Sequence, residues 1–280
     1  MPVMQGKIIV ITGATSGIGQ VAAERLAALG ARMVLVARDM ARGEAAMARL
    51  RMLAPGVAHS IHYADLSLLA EIKRAAAAIA AAEPRIDVLI NNAGAIFASR
   101  QVTADGLERT FALNHMSYFL LTAGLRQRLI ATPQARVVNV ASAAHRSGHL
   151  DFSDLQRARN YKPFAVYGTT KLCNILFTRE LALRLAGTGV TANCLHPGLV
   201  ATRFGDQTGG YYAWGVWFAK LFAISPEKGA QTTIYLAASP DVAQTSGGYF
   251  VKCAPATPTA KARDDAAARR LWEESEKIAG

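Results

Sequence analysis

Short apolar runs alternate along the chain with longer segments whose apolar positions recur at helical spacing. Lys7–Thr12 runs into Gly13 and reads as a buried parallel strand. Gly17–Leu29 places Val21, Ala22, Leu26 and Leu29 near one face, and Gly30 closes that helix. The pattern then predicts a strand at Arg32–Ala37, a helix at Met40–Leu53 and a strand at Val57–Tyr63. An Ala-rich helix follows at Leu68–Ala82 and ends before Pro84. Ile86–Ile90 is the fourth predicted strand, and Gly106–Ile130 is read as one long helix. The rhythm continues with a strand at Arg136–Ala141, a long helix at Pro163–Ala186 and a strand at Val190–Leu195. A helix at Pro226–Ala238 and a short strand at Tyr249–Val251 complete it.

Strands separated by helices of this length mean βαβ units, a parallel sheet and right-handed crossovers. The fold class is therefore α/β, with one doubly wound parallel sheet flanked by helices on both faces. No internal repeat or linker divides the chain, so residues 1–253 are expected to form one domain. Residues 254–280 are read as a tail, in which Pro255 and Pro258 break structure before a charged helix at Asp264–Ile278. That helix carries Leu271 and Trp272 and is expected to pack on the domain.

Composition narrows the classes. The 280 residues are 51% hydrophobic and 18% charged, which excludes disorder over most of the chain. Lys and Arg number 31 against 20 Asp and Glu, a formal charge of +11. Nucleic acid or a membrane surface would fit such a charge, but no nucleic-acid reading motif is present. The arginines are spread over predicted helices, at Arg25, Arg49, Arg74, Arg126, Arg179 and Arg269 among others, as solvated faces. Cys173, Cys194 and Cys253 form no C-x-x-C pair and read as reduced thiols. No signal peptide is visible, and no stretch reaches the ~20 apolar residues of a transmembrane helix. A cytoplasmic protein is the expectation.

Chemistry first shows at Thr12-Gly13-Ala14-Thr15-Ser16-Gly17-Ile18-Gly19, between the first strand and first helix. The glycines permit a tight turn and close approach to a pyrophosphate, and the helix offers its N-terminal N–H groups. The spacing Gly-x-x-x-Gly-x-Gly resembles the short-chain dehydrogenase/reductase family, with its Rossmann-type fold. Other motifs fall in register with it: Asn91-Asn92-Ala93-Gly94, Asn114, Ser142, Tyr167-x-x-x-Lys171 and Pro197-Gly198. The resemblance covers nearly the whole chain. It implies cofactor contacts from Gly13, Thr15, Ser16, Gly17, Ile18, Gly19, Asn92, Ala93, Gly94, Tyr167, Lys171, Pro197, Gly198, Val200 and Thr202. Asp65-Leu66 resembles the family's adenine-contacting pair. The second strand ends at Ala37-Arg38, where an NAD-specific site carries an acid. A guanidinium suits a 2′-phosphate, so NADP(H) is expected over NAD(H), with Asp39 as a nearby opposing charge.

Tyr167 and Lys171 are one helical turn apart and share a face. A nearby ammonium and an oxidised nicotinamide would both stabilise the phenolate, making Tyr167 a proton donor and acceptor. Lys171 is expected to lower the Tyr167 pKa and hold the nicotinamide ribose, and Ser142 to hydrogen-bond the substrate oxygen. The resemblance implies that Asn114 holds a water linking Lys171 to solvent. His145 and His149, with Asp151 close by, are read as a loop beside the pocket; no metal is expected. His115 and His196 are read as packed or hydrogen-bonded.

Residues about 199–225 are expected to form a substrate lid. Tyr211, Trp214, Trp217, Phe218 and Phe222 recur there at helical spacing, suiting a cover over an apolar pocket, core packing, a subunit interface or a membrane contact. Within the family, Asn139–His145, His196-Pro197-Gly198, Ser225–Thr232 and Ala262–Gly280 resemble the retinol dehydrogenase-like branch. The expected activity is interconversion of a small lipophilic ketone or aldehyde and its alcohol, with assembly into a homo-oligomer through the long helices left open. The competing reading is a non-catalytic NADP(H)-binding sensor or scaffold.

Overall fold

A computed structural model describes residues 3–198 and 225–280. One sheet runs β3-β2-β1-β4-β5-β6-β7-β8. Its strands are β1 (Ile8–Thr12), β2 (Arg32–Ala37), β3 (Ser60–Tyr63), β4 (Val88–Asn91), β5 (Arg136–Val140), β6 (Thr191–His196), β7 (Tyr249–Val251) and β8 (Ala254–Pro255). β1 to β7 pair in parallel, as expected of continuous apolar runs buried on both faces. Alternate residues feed two cores: Ile8 and Val10 point to one, Ile9 and Ile11 to the other.

The second core is covered by α1 (Gly17–Ala28), α2 (Met40–Leu53) and α7 (Pro226–Ala238). The first is covered by α3 (Leu69–Ala82), α5 (Ser117–Ile130), α6 (Pro163–Arg184) and α8 (Asp265–Ala279), the last lying against α6. Sheet order reverses between β1 and β4. In open α/β sheets that switch point is where a crevice for ligand opens beyond the strand ends.

Three elements differ from expectation. The long helix predicted from Gly106 starts only with the short α4 (Arg109–Phe111), because Gly106 turns the chain at φ 76°. The buried Glu108 carboxylate then caps the Thr110 and Phe111 N–H groups at 2.8 Å each. The helix next widens into a π turn at Ala112–Met116 before α5. The third strand begins at Ser60, since the Met33 N–H is taken at 3.0 Å by the His59 ring. Finally, the sheet is not wholly parallel. Lys252 and Cys253, at φ 51° and 61°, make a two-residue reversal that lays β8 antiparallel on β7. Neither is a glycine or asparagine, so no turn signal marks the place in the sequence.

Beneath the crevice, buried amides tie both central strands to the helices. Asn91 donates to Thr122 at 3.1 Å and to Asn139 at 2.9 Å, and Asn139 donates to Thr178 at 2.9 Å. Replacing Asn139 with alanine leaves partners unpaired in a dry interior. Asn139→Ala is expected to lower the unfolding free energy by about 2 kcal/mol in a urea titration.

Candidate active site

The site begins where β1 ends. Thr12 Oγ1 accepts the backbone N–H groups of Asn92 and Ala93 at 3.0 and 2.9 Å. The Asn92 side chain returns two bonds, to the carbonyls of Thr12 at 2.9 Å and Gly13 at 3.1 Å. This clamp leaves no room for side chains. A Cβ at Gly19 would lie 2.4 Å from both Asn92 Nδ2 and the Gly13 carbonyl oxygen. Gly13 and Gly17 sit at φ 69° and 58°. Ser16 is the extended N-cap of α1 but its hydroxyl makes no capping bond, and the first turn carries no acid. Thr15, Ser16 and Ile18 therefore surround a helix N-terminus with open donors and positive dipole, a chemistry that fits the phosphates of a dinucleotide.

At the ends of β2 and β3, the exposed Arg38 guanidinium lies 4.0 Å from the Asp65 carboxylate. Asp65 also accepts the Ser67 N–H and hydroxyl at 2.9 and 2.7 Å, which hold its pKa below the usual range despite partial burial. Asp39 is turned away, capping α2 through the Arg42 N–H at 2.9 Å. The Leu66 side chain is buried in the core. Past β6, the Gly198 N–H donates to His196 Nδ1 at 3.1 Å, next to Pro197. Val200, Thr202 and the aromatic stretch expected as a lid lie outside the described residues.

The catalytic candidates converge across β4, β5 and α6. Ser142 follows β5, caps a 3-10 turn (Ala143–Ser147) through the Ala144 N–H at 3.1 Å, and hydrogen-bonds the Tyr167 phenol. That turn reaches α6 because two backbones meet bare. A Cβ at Gly168 would lie 2.7 Å from the Ala144 carbonyl oxygen, and one at Gly148 would lie 2.6 Å from that of Gly168. Lys171 is buried, donates to the Val140 carbonyl at 2.9 Å, and has its Nζ 5.6 Å from the Tyr167 ring centre. Asn114 sits in the π turn, a distortion frequent at functional sites. Its side chain exchanges two 2.9 Å bonds with the Ala95 backbone and donates to Thr170 at 3.0 Å. A Cβ at Gly94 would come within 3.2 Å of Asn114 Oδ1 and 3.4 Å of Lys171 Nζ. Thr12, Gly148, Gly168 and Thr170 thus belong to the framework of the site: Thr12 opens the glycine motif and Thr170 precedes Lys171 in the catalytic motif, while nothing in the sequence marks the contacts of Gly148 and Gly168.

The charge balance differs from the expected one. Burial pushes the Tyr167 phenol up to about 12, offset in part by the Ser142 hydrogen bond. Burial also pushes Lys171 down to about 7. Each charged form is penalised by the same dry surroundings, so the lysine does not bring the phenol toward neutrality by itself. His115 and His145 are both buried and hydrogen-bonded. Among the described residues no group of His, Cys, Asp and Glu could hold a metal ion.

The model of the short chain dehydrogenase family matches residues 7–210. The chain belongs to the short-chain dehydrogenase/reductase family. Human retinol dehydrogenase 13 is 40% identical over 98% of this chain and 85% of its own length, which puts the chain in the retinol dehydrogenase-like branch of these oxidoreductases. A crystal structure from Mycobacterium paratuberculosis superposes with a TM-score of 0.77 at 32% identity, covering 98% of this chain and 94% of that one. The RhlG/NADP active-site complex of Pseudomonas aeruginosa has a TM-score of 0.69 at 26% identity, covering 89% and 96%. Among the described residues, no helix of this short-chain dehydrogenase is long and apolar enough to cross a membrane.

The bare contact at Gly168 gives a direct test. Gly168→Ala should push the Ser142 turn away from α6 and lower turnover on the order of tenfold or more. Far-UV circular dichroism should be unchanged, and wild-type turnover would mean that the turn gives way without displacing Ser142.

Proposed function

We propose that this chain is an NADP(H)-dependent oxidoreductase that interconverts a lipophilic ketone or aldehyde and its alcohol, with Tyr167 as proton donor and acceptor. The observation that carries the reading is the Ser142–Tyr167 hydrogen bond lying beside Lys171, with Gly13 and Gly19 packed too tightly on the clamp to carry a Cβ. The family membership and the NADP in the RhlG complex support it. A relative named retinol dehydrogenase and the aromatic residues between Phe204 and Phe222 support a greasy substrate.

Gly13, Thr15, Ser16, Gly17, Ile18 and Gly19 would hold the pyrophosphate, and Arg38 the 2′-phosphate. Asp65 and Leu66 would flank the adenine half. Asn92, Ala93, Gly94, Lys171, Pro197, Gly198, Val200 and Thr202 would border the nicotinamide half. The cofactor, when bound, supplies the hydride. The protein supplies proton placement. With its pKa raised to about 12, Tyr167 keeps its proton through the neutral range and is a ready donor to a carbonyl oxygen. The Ser142 hydroxyl orients that oxygen. Lys171, lowered to about 7, takes or releases a proton near neutrality and offsets charge building on the phenol oxygen. Asn114 holds the strand end and the Thr170 hydroxyl in register beside it.

Tyr167→Phe should lower NADPH-dependent turnover of lipophilic ketones by about 10²-fold or more while still binding NADPH by fluorescence titration. Near-normal turnover would remove the tyrosine from its role. Arg38→Ala should lower kcat/KM with NADPH by about tenfold, the effect of one lost charge-assisted phosphate contact, and leave NADH kinetics little changed. A wild-type enzyme with higher kcat/KM for NADH would falsify the cofactor preference.

A further inference from the structure

The end of the chain reaches the catalytic cluster at two separate places, each time through a histidine. After β8, the backbone N–H of Thr259 donates to His145 Nε2 at 3.3 Å. His145 Nδ1 lies 2.7 Å from the carbonyl oxygen of Ser142. A ring that accepts at Nε2 carries its proton at Nδ1, so His145 donates to the residue that hydrogen-bonds Tyr167. The ring is buried, in a T-shaped contact with Tyr249 at 5.4 Å between ring centres, and burial lowers its pKa.

The second contact comes from α8. Ser275 Oγ donates to the Leu271 carbonyl at 2.7 Å, which leaves it to accept from His115 Nε2 at 2.9 Å. Both residues are fully buried, and burial pushes His115 down to about 3. His115 is the neighbour of Asn114 inside the π turn. Trp272 anchors the same helix: it stacks on Phe177 at 5.7 Å, meets Phe119 edge-on at 5.0 Å, and carries the Arg184 guanidinium at 4.4 Å.

We infer that residues 254–280 act as a positioning brace for the reaction, the Thr259 N–H setting the Ser142 turn through His145 and Ser275 setting the Asn114 turn through His115. The inference rests on the roles given to Ser142 and Asn114 under the proposed function. His145 and His115 act as positioning residues, one contact behind the groups that hold protons and substrate. Apolar packing of α8 alone would attach the tail without engaging either histidine. The two hydrogen bonds instead fix one tautomer each, beside Ser142 in one case and Asn114 in the other. Ser142 reaches Tyr167 directly, and Asn114 reaches Thr170, the residue before Lys171. A shift at either turn is therefore passed to the Tyr167–Lys171 pair.

Thr259 offers an unusually clean variant. Its φ of −58° suits proline, so Thr259→Pro deletes the one N–H that His145 accepts, while Thr259→Val keeps it. Ser275→Ala deletes the acceptor of His115. On the full chain, Thr259→Pro and Ser275→Ala are expected to lower kcat about ten- to a hundredfold with KM for NADPH unchanged. Thr259→Val should stay near wild type. Hydrogen exchange read by mass spectrometry should quicken in residues 142–148 for Thr259→Pro and in 112–116 for Ser275→Ala. Unchanged kcat in both variants, or an equal loss in Thr259→Val, would overturn the brace. If the wild-type protein turned over no carbonyl substrate, the proposed function would fail instead. The exchange measurement would still decide the brace, and unchanged protection in both variants would end it.

Discussion

Asn92 ties the end of β1 to the end of β4, and the site is built outward from that tie. The asparagine spends both amide hydrogens on backbone carbonyls of the strand beside it, while Thr12 takes the two N–H groups that come back. At the strand crossing a Cβ on Gly13 would strike Ala93 and Asn92, and where α1 starts over the clamp a Cβ on Gly19 would strike Asn92 and the Gly13 carbonyl, so both are bare. The same closeness directs the chain beyond β4. Gly94 lies against Asn114 and Lys171, so the glycine loop and the Tyr167–Lys171 pair are joined by one stretch of backbone. A disturbance at the clamp would be felt at both ends.

Burial decides the electrostatics around Tyr167 and Lys171. Tyr167 and Lys171 are each held in their neutral direction, the phenol upward and the amine downward. Both shifts work against a preformed ion pair. Such surroundings keep the phenol neutral, and ionising it calls for extra positive charge nearby.

Much of the frame was legible from residue patterns. Met40–Leu53, Arg32–Ala37 and Pro226–Ala238 follow from apolar runs and punctuating residues, and the structure has the same boundaries. The grouping of Ser142, Tyr167, Lys171 and Asn114 was legible through the family resemblance of their motifs, with Tyr167 and Lys171 one turn apart on a helix. The features that escaped are through-space ones. Nothing in the run Ala112–Met116 marks a π turn, which answers to Glu108 capping before it and to Asn114 being pulled onto the Ala95 backbone. The reversal at Lys252–Cys253 uses left-handed residues that sequence rules assign to glycine or asparagine. The opposed pKa shifts depend on burial, which spacing alone does not report.

At the rim of the sheet, that reversal protects an edge. β7 would otherwise end the sheet as an open row of backbone donors and acceptors, a template for a strand from another molecule. β8 covers it with two residues only, and the second is Pro255, which has no N–H to offer. A strand this short, ending in proline, pairs inward and presents almost nothing outward. The sheet is closed to further growth on that side, so a protein with so apolar an interior is guarded there against edge-to-edge aggregation.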